Sequence, residues 1–406
     1  MNRLLQGDVG SGKTLVAAAC AWLACQNGLQ AAIMAPTELL ARQHMQTLRQ
    51  LLSPFAIPVE LLCGSTSAPE RRRILSLAQE DGPLVLCGTH ALIQSGVSLP
   101  RAALTVVDEQ HRFGVRQRAA LGRSSGGAHL LAMSATPIPR TLTLILYGDL
   151  DVSVLDQLPP GRQPVRTFAL TEDRRQELYG FLRRQAAEGG QTYIVCPLIE
   201  EPEGASPQEK QAAAAYLDRL RRQLPGLRAG LLHGRMKTAE KDAVMEAFLR
   251  RELDVLVCTT VVEVGVNVPN ATLMIVENAD LFGLSQLHQL RGRVGRGSRQ
   301  SYCFLMCGEG GETARQRLSV LCRTNDGFQI AQEDLRLRGP GDFFGSRQHG
   351  LPTFQIADLA ADLNVLEAAR QSAEALLAQD PTLSRDPLLA RRVQAAADKT
   401  LAASMN

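Results

Sequence analysis

Residues 7–14 read GDVGSGKT. This stretch fits the phosphate-binding pattern G-x-x-x-x-G-K-[ST], in which glycines let backbone N–H groups surround phosphate oxygens at a helix N-terminus. RLLQ at 3–6 has the composition of a strand and VAAACAWLACQNG at 16–28 has that of a helix, so the loop has the context that it requires. A glycine-rich turn that binds nothing would not need this context. The sequence therefore predicts a nucleotide-binding α/β protein.

Two residues of this loop have specific expected roles. Lys13 should reach the β- and γ-phosphates of ATP, and the Thr14 hydroxyl should bind Mg²⁺. Only five of the 44 Lys and Arg residues are lysine, so a lysine at this position stands out in an arginine-rich chain. The predicted ATP-binding residues are Gly7, Asp8, Val9, Gly10, Ser11, Gly12, Lys13 and Thr14.

Composition excludes several classes of protein. The 406 residues, 45% hydrophobic and 21% charged, suit two or three globular domains, and the net charge of +3 is compatible with nucleic acid without pointing to it. No apolar run approaches a membrane span and no signal peptide opens the chain, so we expect a cytoplasmic protein. The nine cysteines lie mostly in apolar runs and are expected to be buried free thiols, since Cys303 and Cys307 alone are a weak metal signal.

Apolar runs that alternate with helical patterns predict an α/β fold of two tandem parallel-sheet lobes, with helices on both faces of each sheet. The strands predicted before the proline-rich linker DQLPPGRQPV are Arg3–Gln6, Ala31–Ala35, Val59–Leu62, Leu84–Cys87, Leu104–Val107 and Leu130–Met133. Those predicted after it are Arg166–Leu170, Thr192–Cys196, Ala229–Leu232, Asp254–Cys258, Leu273–Val276 and Tyr302–Met306. EEPEGASPQEK at 200–210 is expected to be a surface loop, and the tail to be helical. The predicted domains are residues 1–155, 156–310 and 311–406.

Polar residues follow several predicted strands of the first lobe. DEQH begins at Asp108, which should hold Mg²⁺ through water, and Glu109 should orient and deprotonate the attacking water. Two surface acids are the alternative, which the apolar strand LTVV before them disfavours. Three triplets follow other strands and should face the same crevice, although each alone resembles a helix cap: Pro36-Thr37-Glu38, Gly88-Thr89-His90 and Ser134-Ala135-Thr136.

The second lobe contains QLHQLRGRVGR at 286–296, with three arginines and two glycines in six residues. A solvated basic turn is one interpretation. A phosphate site in the first lobe, however, needs cations that arrive from outside to stabilise the transition state, and Arg293 and Arg296 are candidates as planar bidentate donors. The Thr and Gly residues of 259–270 suit backbone phosphate contacts.

Eight segments resemble, in order, the motifs of superfamily 2 helicases, whose two RecA-like lobes would cover residues 3–307. The segments are GDVGSGKT, APTELLARQ, GTHALI, DEQH, SATPIPRT, LLHGRM, TTVVEVGVNVPNA and QLHQLRGRVGR. More narrowly, DEQHRFGVRQR, YGDLDVSVLDQLPPGR, ENADLFGLSQLHQLRGRVGR and DGFQIAQEDLRLRGPGDFFGSRQHG resemble the bacterial RecG family of ATP-dependent DNA helicases. The transcription-repair coupling factor shares the last of these as a helical hairpin and loop, but usually reads DEEH where this chain has Gln110.

The resemblance implies an ATP- and Mg²⁺-dependent motor on double-stranded DNA that remodels stalled forks and Holliday junctions in repair and recombination. It also implies a monomer with a single-strand-binding protein as a contact, acting at the bacterial nucleoid. The implied catalytic residues are Lys13, Asp108, Glu109, Gln289, Arg293 and Arg296, with Thr14 and Asp108 at the metal. The implied DNA-binding or coupling residues are Pro36, Thr37, Gly88, Thr89, His90, Ser134, Thr136, Gly234, Arg235, Thr259, Arg317, Arg338 and Gln348.

The chain departs from the family at its front. RecG proteins carry an N-terminal wedge domain that splits the fork, and a segment before the phosphate loop that contacts adenine. We therefore expect an N-terminally truncated form, with reduced nucleotide affinity and adenine selectivity and with fork unwinding largely lost. Another hypothesis is a DNA-binding fragment with little productive ATPase, although intact catalytic positions argue against it.

Overall fold

The computed structural model describes residues 1–92, 97–108, 127–134, 150–157, 159, 163–197, 208–259, 267–308, 312–343 and 363–404. The chain forms two compact units. The first comprises Met1–Pro137 with Asp149–Ile330, and the second comprises Ile138–Gly148 with Ala331–Asn406. Both β-sheets lie in the first unit.

The first sheet has seven strands, all paired in parallel, in the order β3-β4-β2-β5-β6-β1-β7. Its strands are β1 (Asn2–Gly7), β2 (Gln30–Met34), β3 (Val59–Leu62), β4 (Leu84–Gly88), β5 (Ala102–Val107), β6 (His129–Ser134) and β7 (Asp151–Leu155). Its helices are α1 (Lys13–Gln26), α2 (Glu38–Leu52) and α3 (Ala68–Gln79), with short 3₁₀ helices at Ser53–Phe55 and His90–Leu92. We call this sheet with its helices lobe one.

The core of lobe one follows from the pattern of its strands. β2 and β4 are buried along their whole length, as expected for central strands of a parallel sheet that is covered on both faces. Small residues of α1, such as Ala17 and Ala21, pack against this sheet beside Leu48 of α2. In α2 every fourth residue is buried, from Leu40 to Leu52, because one stripe of the helix faces the core.

The second sheet has six strands, again all parallel, in the order β10-β11-β9-β12-β13-β8. Its strands are β8 (Arg166–Leu170), β9 (Gln191–Val195), β10 (Ala229–Leu232), β11 (Val255–Cys258), β12 (Ala271–Val276) and β13 (Tyr302–Met306). Its helices are α4 (Arg175–Ala187), α5 (Gln208–Gln223), α6 (Thr238–Leu249) and α7 (Leu284–Arg291), with 3₁₀ helices at Glu172–Arg174 and Ala279–Leu281. We call this sheet with its helices lobe two.

Helices alone follow β13 in the part of the chain that the structure describes. They are α8 (Glu312–Arg323), α9 (Gly327–Phe343), α10 (Leu363–Gln379) and α11 (Pro387–Ser404). α9 begins where the Asp326 carboxylate accepts hydrogen bonds from the N–H groups of Phe328 and Gln329. Among the described residues no helix combines the length and the apolar character that crossing a membrane requires.

The prediction of an α/β fold with two tandem parallel sheets is confirmed. All twelve predicted strands are present, and no bound moves by more than two residues. The structure adds one strand and corrects two expectations. β7 was not predicted, because four of its five residues are only partly buried and its apolar signal is weak. The predicted surface loop at 200–210 is helical from Gln208 onward, where α5 begins.

The helical tail is confirmed in the described residues, where α9 continues through a glycine- and proline-containing stretch as far as Phe343. The second correction concerns the thiols. Six cysteines are buried and free as expected, but Cys20 and Cys307 are half-buried and Cys322 is exposed. Predicted site residues that lie outside the described residues are Glu109, Thr136 and Gln348, and the same holds for the side chain of Arg338.

Candidate nucleotide-binding site

The phosphate loop joins the end of β1 to the start of α1. Gly12 caps α1 with φ of +95°, a left-handed conformation that strains other residues. At Gly7 a side chain would not fit, since a Cβ would lie 2.5 Å from Ser11 Oγ and 3.0 Å from Leu155 Cβ. The loop therefore closes tightly over β1 and β7, and glycine is required at both ends of it.

Lys13 is the first residue of α1 and points back into the loop. Its Nζ donates to the carbonyl oxygens of Gly7 at 2.8 Å and Asp8 at 2.7 Å, and the residue is 9% exposed. The N-terminus of α1 adds the partial positive charge of the helix dipole at the same place. A fixed ammonium and a helix N-terminus together make a site for an anion such as phosphate.

Asp108 follows the last residue of β5. Its backbone N–H donates to Met34 O at 2.9 Å, which fixes it at the carboxyl end of the sheet beside β2. Its Oδ2 lies 2.8 Å from His44 Nε2, and the two side chains are 14% and 7% exposed. His44 lies on the buried stripe of α2, so the helix that packs on the sheet also orients this carboxylate.

The other strand-end residues of lobe one lie at the same edge of the sheet, because all its strands are parallel. The Thr37 side chain caps α2 by accepting from the N–H of Leu40, so it has the structural role that each triplet alone suggested. At Gly88 a Cβ would lie 2.2 Å from Leu62 O, which excludes any side chain there. Pro36 and Thr89 are half-buried, His90 is exposed and Ser134 is buried.

Lobe two contacts the phosphate loop at two successive residues. His288 Nε2 lies 2.6 Å from Asp8 Oδ1, and the side chains are 5% and 17% exposed. One helical turn later, a Cβ on Gly292 would lie 2.7 Å from Val9 Cβ, so the backbone there passes directly over the loop. The predicted arginine-rich segment therefore does meet the phosphate loop, through the His288 side chain and the backbone at Gly292.

A second contact joins the lobes at α2. The backbone N–H of Asn267, in lobe two, donates to Gln43 Oε1 at 3.1 Å. Gln43 is the neighbour of His44 in sequence, so α2 carries adjacent contacts to lobe two and to Asp108.

The predicted residues of lobe two differ in their exposure. Arg293 is buried, whereas Arg296 is half-buried and its Nε donates to Gly292 O at 3.1 Å. Gln289 is half-buried on α7. Three further residues were predicted at the DNA. Gly234 and Arg235 are exposed, and Thr259 is only 2% exposed.

Arg317, on α8, braces the loop that precedes α7. Its Nη2 donates to Asp280 O at 2.9 Å and to Phe282 O at 2.8 Å. The helix that begins the predicted hairpin is thus tied to the segment that leads into α7.

Comparison with known proteins identifies the family. A DEAD/DEAH box helicase model matches residues 1–145, a helicase conserved C-terminal domain matches 173–298, and domain 3 of the ATP-dependent DNA helicase RecG matches 324–401. A RecG helicase of Synechocystis is 52% identical over 387 residues, which are 95% of this chain and 46% of that protein. One of Bacillus subtilis is 47% identical over 94% of this chain and 55% of that protein.

The chain belongs to the RecG helicase family. The match to RecG domain 3 decides against the coupling factor, which was the alternative within the same superfamily. A solved structure of RecG bound to a three-way DNA junction has a TM-score of 0.75 and 45% identity to this chain, and covers 90% of it. The RecA-like prediction for the two lobes is thereby confirmed. The chain spans about half the length of the RecG proteins that it matches.

Three residues that the structure places at this RecG site were missed in the sequence: His44, His288 and Arg291. Each histidine lies on the buried stripe of its helix, beside leucines at helical spacing. A lone histidine on an apolar stripe was the available signal. This signal does not identify the hydrogen-bond partners of the histidines, because Asp108 is 64 residues from His44 and Asp8 is 280 residues from His288.

Proposed function

We propose that this chain is the ATP-driven motor of a RecG helicase, which converts ATP hydrolysis into movement on double-stranded DNA. The observation that supports it most is the geometry of the phosphate loop. Lys13 is fixed there by two carbonyl oxygens of the loop. His288 and Gly292 of lobe two contact Asp8 and Val9 of the same loop. Because lobe two contacts the loop that would bind the nucleotide, nucleotide binding can change the position of lobe two relative to lobe one.

We propose ATP and Mg²⁺ as the cofactors. The donor set suits them, because Mg²⁺ at a nucleotide takes one or two hard oxygen ligands from protein and the rest from phosphate and water. Thr14 and Asp108 would supply those oxygens, and no cluster of three metal-binding side chains occurs in the described parts of the chain. When bound, the metal would neutralise charge on the phosphates. Lys13 would hold the phosphates, His44 would orient Asp108, and Glu109 would position the attacking water.

Gln289, Arg293 and Arg296 are proposed to act on the phosphates from lobe two. Arginine suits this task because its planar, permanently charged group can make paired hydrogen bonds to phosphate oxygens.

Branched DNA is the proposed substrate. The related RecG structure holds a three-way junction, and the match to it covers 90% of this chain. The proposed backbone contacts are Pro36, Thr37, Gly88, Thr89, His90, Ser134, Thr136, Gly234, Arg235 and Thr259. Because such contacts are to phosphate, they supply affinity and not sequence choice. Arg317, Arg338 and Gln348 are proposed to link the hairpin to the movement.

Several further assignments rest on the family and remain proposals. The proposed domains are residues 1–155, 156–310 and 311–406. We also propose that the protein acts as a monomer on nucleoid DNA in the cytoplasm. A single-strand-binding protein is a proposed contact.

The test is phosphate release by the purified chain with no DNA, with linear duplex and with a three-way junction. We expect both DNAs to stimulate release, the junction at the lower concentration, and binding to weaken steeply as salt rises. A folded chain that binds DNA without stimulated release would contradict the motor and favour a DNA-binding fragment. A flat response to salt would contradict the proposed phosphate contacts.

A further inference from the structure

Asp8 places a carboxylate inside a loop that is proposed to hold phosphates. Its Oδ1 accepts a hydrogen bond from the N–H of Val9 at 2.6 Å, and its carbonyl oxygen accepts one from Lys13 Nζ at 2.7 Å. A negative side chain so close to the phosphates of a nucleotide would repel them unless its charge were compensated. The compensation comes in part from lobe two.

His288 is held so that it donates to this carboxylate. Arg291 has donors only, and its Nη2 lies 2.8 Å from His288 Nδ1, so Nδ1 must accept. The ring hydrogen is then on Nε2, which lies 2.6 Å from Asp8 Oδ1. The three side chains form a directed chain of hydrogen bonds from arginine through imidazole to carboxylate.

Arg291 is itself fixed. Its Nη1 donates to Leu321 O and Thr324 O, both at 2.9 Å, at the end of α8. Since the guanidinium is buried and keeps its positive charge, it orients the imidazole and places a cation near Asp8.

The electrostatics of Asp8 agree with this arrangement. Burial would raise the pKa of Asp8, but the hydrogen bond from His288, the N–H of Val9 and the charge of Arg291 outweigh it and lower the pKa. Asp8 is therefore ionised at neutral pH, and the loop carries its negative charge there.

We propose that Asp8, His288 and Arg291 are positioning residues through which the docking of lobe two sets the affinity of the phosphate loop for nucleotide. With His288 in place, the Asp8 carboxylate is held by a donor from lobe two. Without it, the uncompensated charge opposes the phosphates. This inference rests on the proposed function, because it assumes that the loop binds a nucleotide.

The test is a four-protein cycle of wild type, Asp8→Asn, His288→Ala and the double variant. The measurement is the equilibrium dissociation constant of a fluorescent ADP with Mg²⁺, made on the full chain. His288→Ala should bind about tenfold more weakly than wild type, as expected for groups in direct contact. Asp8→Asn should bind at least as tightly as wild type. The double variant should match Asp8→Asn, because it has no charge left to compensate.

Two more variants separate this role from a merely structural one. His288→Gln should return to within about twofold of wild type, since an amide can donate to Asp8 and accept from Arg291. His129→Ala is the control, because His129 is exposed at the start of β6 and contacts the N-terminal amine. It should bind as wild type does.

Unchanged affinity in His288→Ala would overturn the inference. So would a double variant as weak as His288→Ala, since the loss would then not depend on the charge of Asp8. These results would leave the proposed function standing. A folded wild-type chain that binds no fluorescent ADP would overturn the proposed function and this inference with it.

Discussion

The two sheets have the same strand order, but the charged residues at the carboxyl ends of their strands have different kinds of partner. β3-β4-β2-β5-β6-β1 in lobe one corresponds to β10-β11-β9-β12-β13-β8 in lobe two, and β7 is an additional edge strand. Backbone hydrogen bonds support this correspondence, since Asp108 N–H donates to the last residue of β2 and Glu277 N–H donates to the last residue of β9. In this correspondence Lys13 and Arg175 each begin the helix after the first strand.

Lobe two joins its basic and acidic residues to each other. Arg175 donates from both Nη atoms to Glu277 at 2.8 Å, and Tyr216 OH donates to the same carboxylate at 2.9 Å. Burial would lower the pKa of Arg175, but hydrogen bonds to Glu277 and Glu172 outweigh it and raise the pKa. The connection before Arg175 reads TEDR, with two acids and no glycine, so it offers no cradle for phosphate.

In lobe one the two corresponding residues, Lys13 and Asp108, contact different partners. Lys13 donates to loop carbonyls, and Asp108 is held by His44. The strand order alone therefore does not make a nucleotide site. What differs is whether the charged groups satisfy each other or are held by neighbours in place for a ligand.

The largest expected effect is at Lys13. Lys13→Ala should lower ATP hydrolysis at least about a hundredfold, because a fixed cation at the phosphates is lost from a water-excluded site. Phosphate release measures it, and circular dichroism should show an unchanged fold. Turnover near the wild-type rate would refute the assignment of the site to lobe one.

Arg175→Ala should affect stability instead. Removing one partner leaves Glu277 buried and without its ion pair, which costs about 3 kcal/mol in the free energy of unfolding. Urea denaturation measures this, and hydrolysis per folded molecule should be retained. The double change Arg175→Met with Glu277→Leu should recover most of the loss.

The neighbouring Arg174→Ala is the matched control for Arg175, because Arg174 is exposed and pairs only on the surface with Glu177. It should leave the urea midpoint unchanged. Loss of nucleotide binding in Arg175→Ala, with the fold intact, would show that the pair of lobe two is not merely structural.

His44→Ala should weaken the site moderately. The Asp108 carboxylate would lose the donor that orients it, and the Mg²⁺ concentration needed for half-maximal nucleotide binding should rise about tenfold. Titration of Mg²⁺ against fluorescent nucleotide measures this shift, and His44→Gln should restore most of it. An unchanged Mg²⁺ requirement in His44→Ala would remove His44 from the site.

The smallest effect concerns pH. The pKa of Asp8 is lowered from its ordinary value of 3.8, so its ionised form stabilises the fold above that pH, and this contribution is lost as pH falls below about 4. The difference in unfolding free energy between wild type and Asp8→Asn should be constant from pH 7 to about pH 5, then shrink in acid. A difference that does not change with pH would contradict the ionised Asp8.

Patterns of neighbouring residues predicted most of the strands and the phosphate loop. The side-chain contacts that they missed join residues far apart in the sequence. The strands could be found because central parallel strands are continuous apolar runs, and the phosphate loop because its glycines and lysine are contiguous. β7 is half-exposed at the edge of the sheet and has no such signal. The contacts of His44 and His288 join residues far apart in sequence, so only the folded chain brings them together.

Displacement of a third strand from triplex DNA shows most directly whether this chain is a motor. The wild-type chain should release the third strand from a duplex with a branched end only when ATP and Mg²⁺ are present, and Lys13→Ala should release none. ATP hydrolysis that is stimulated by DNA without any release, or release without ATP, would contradict the account.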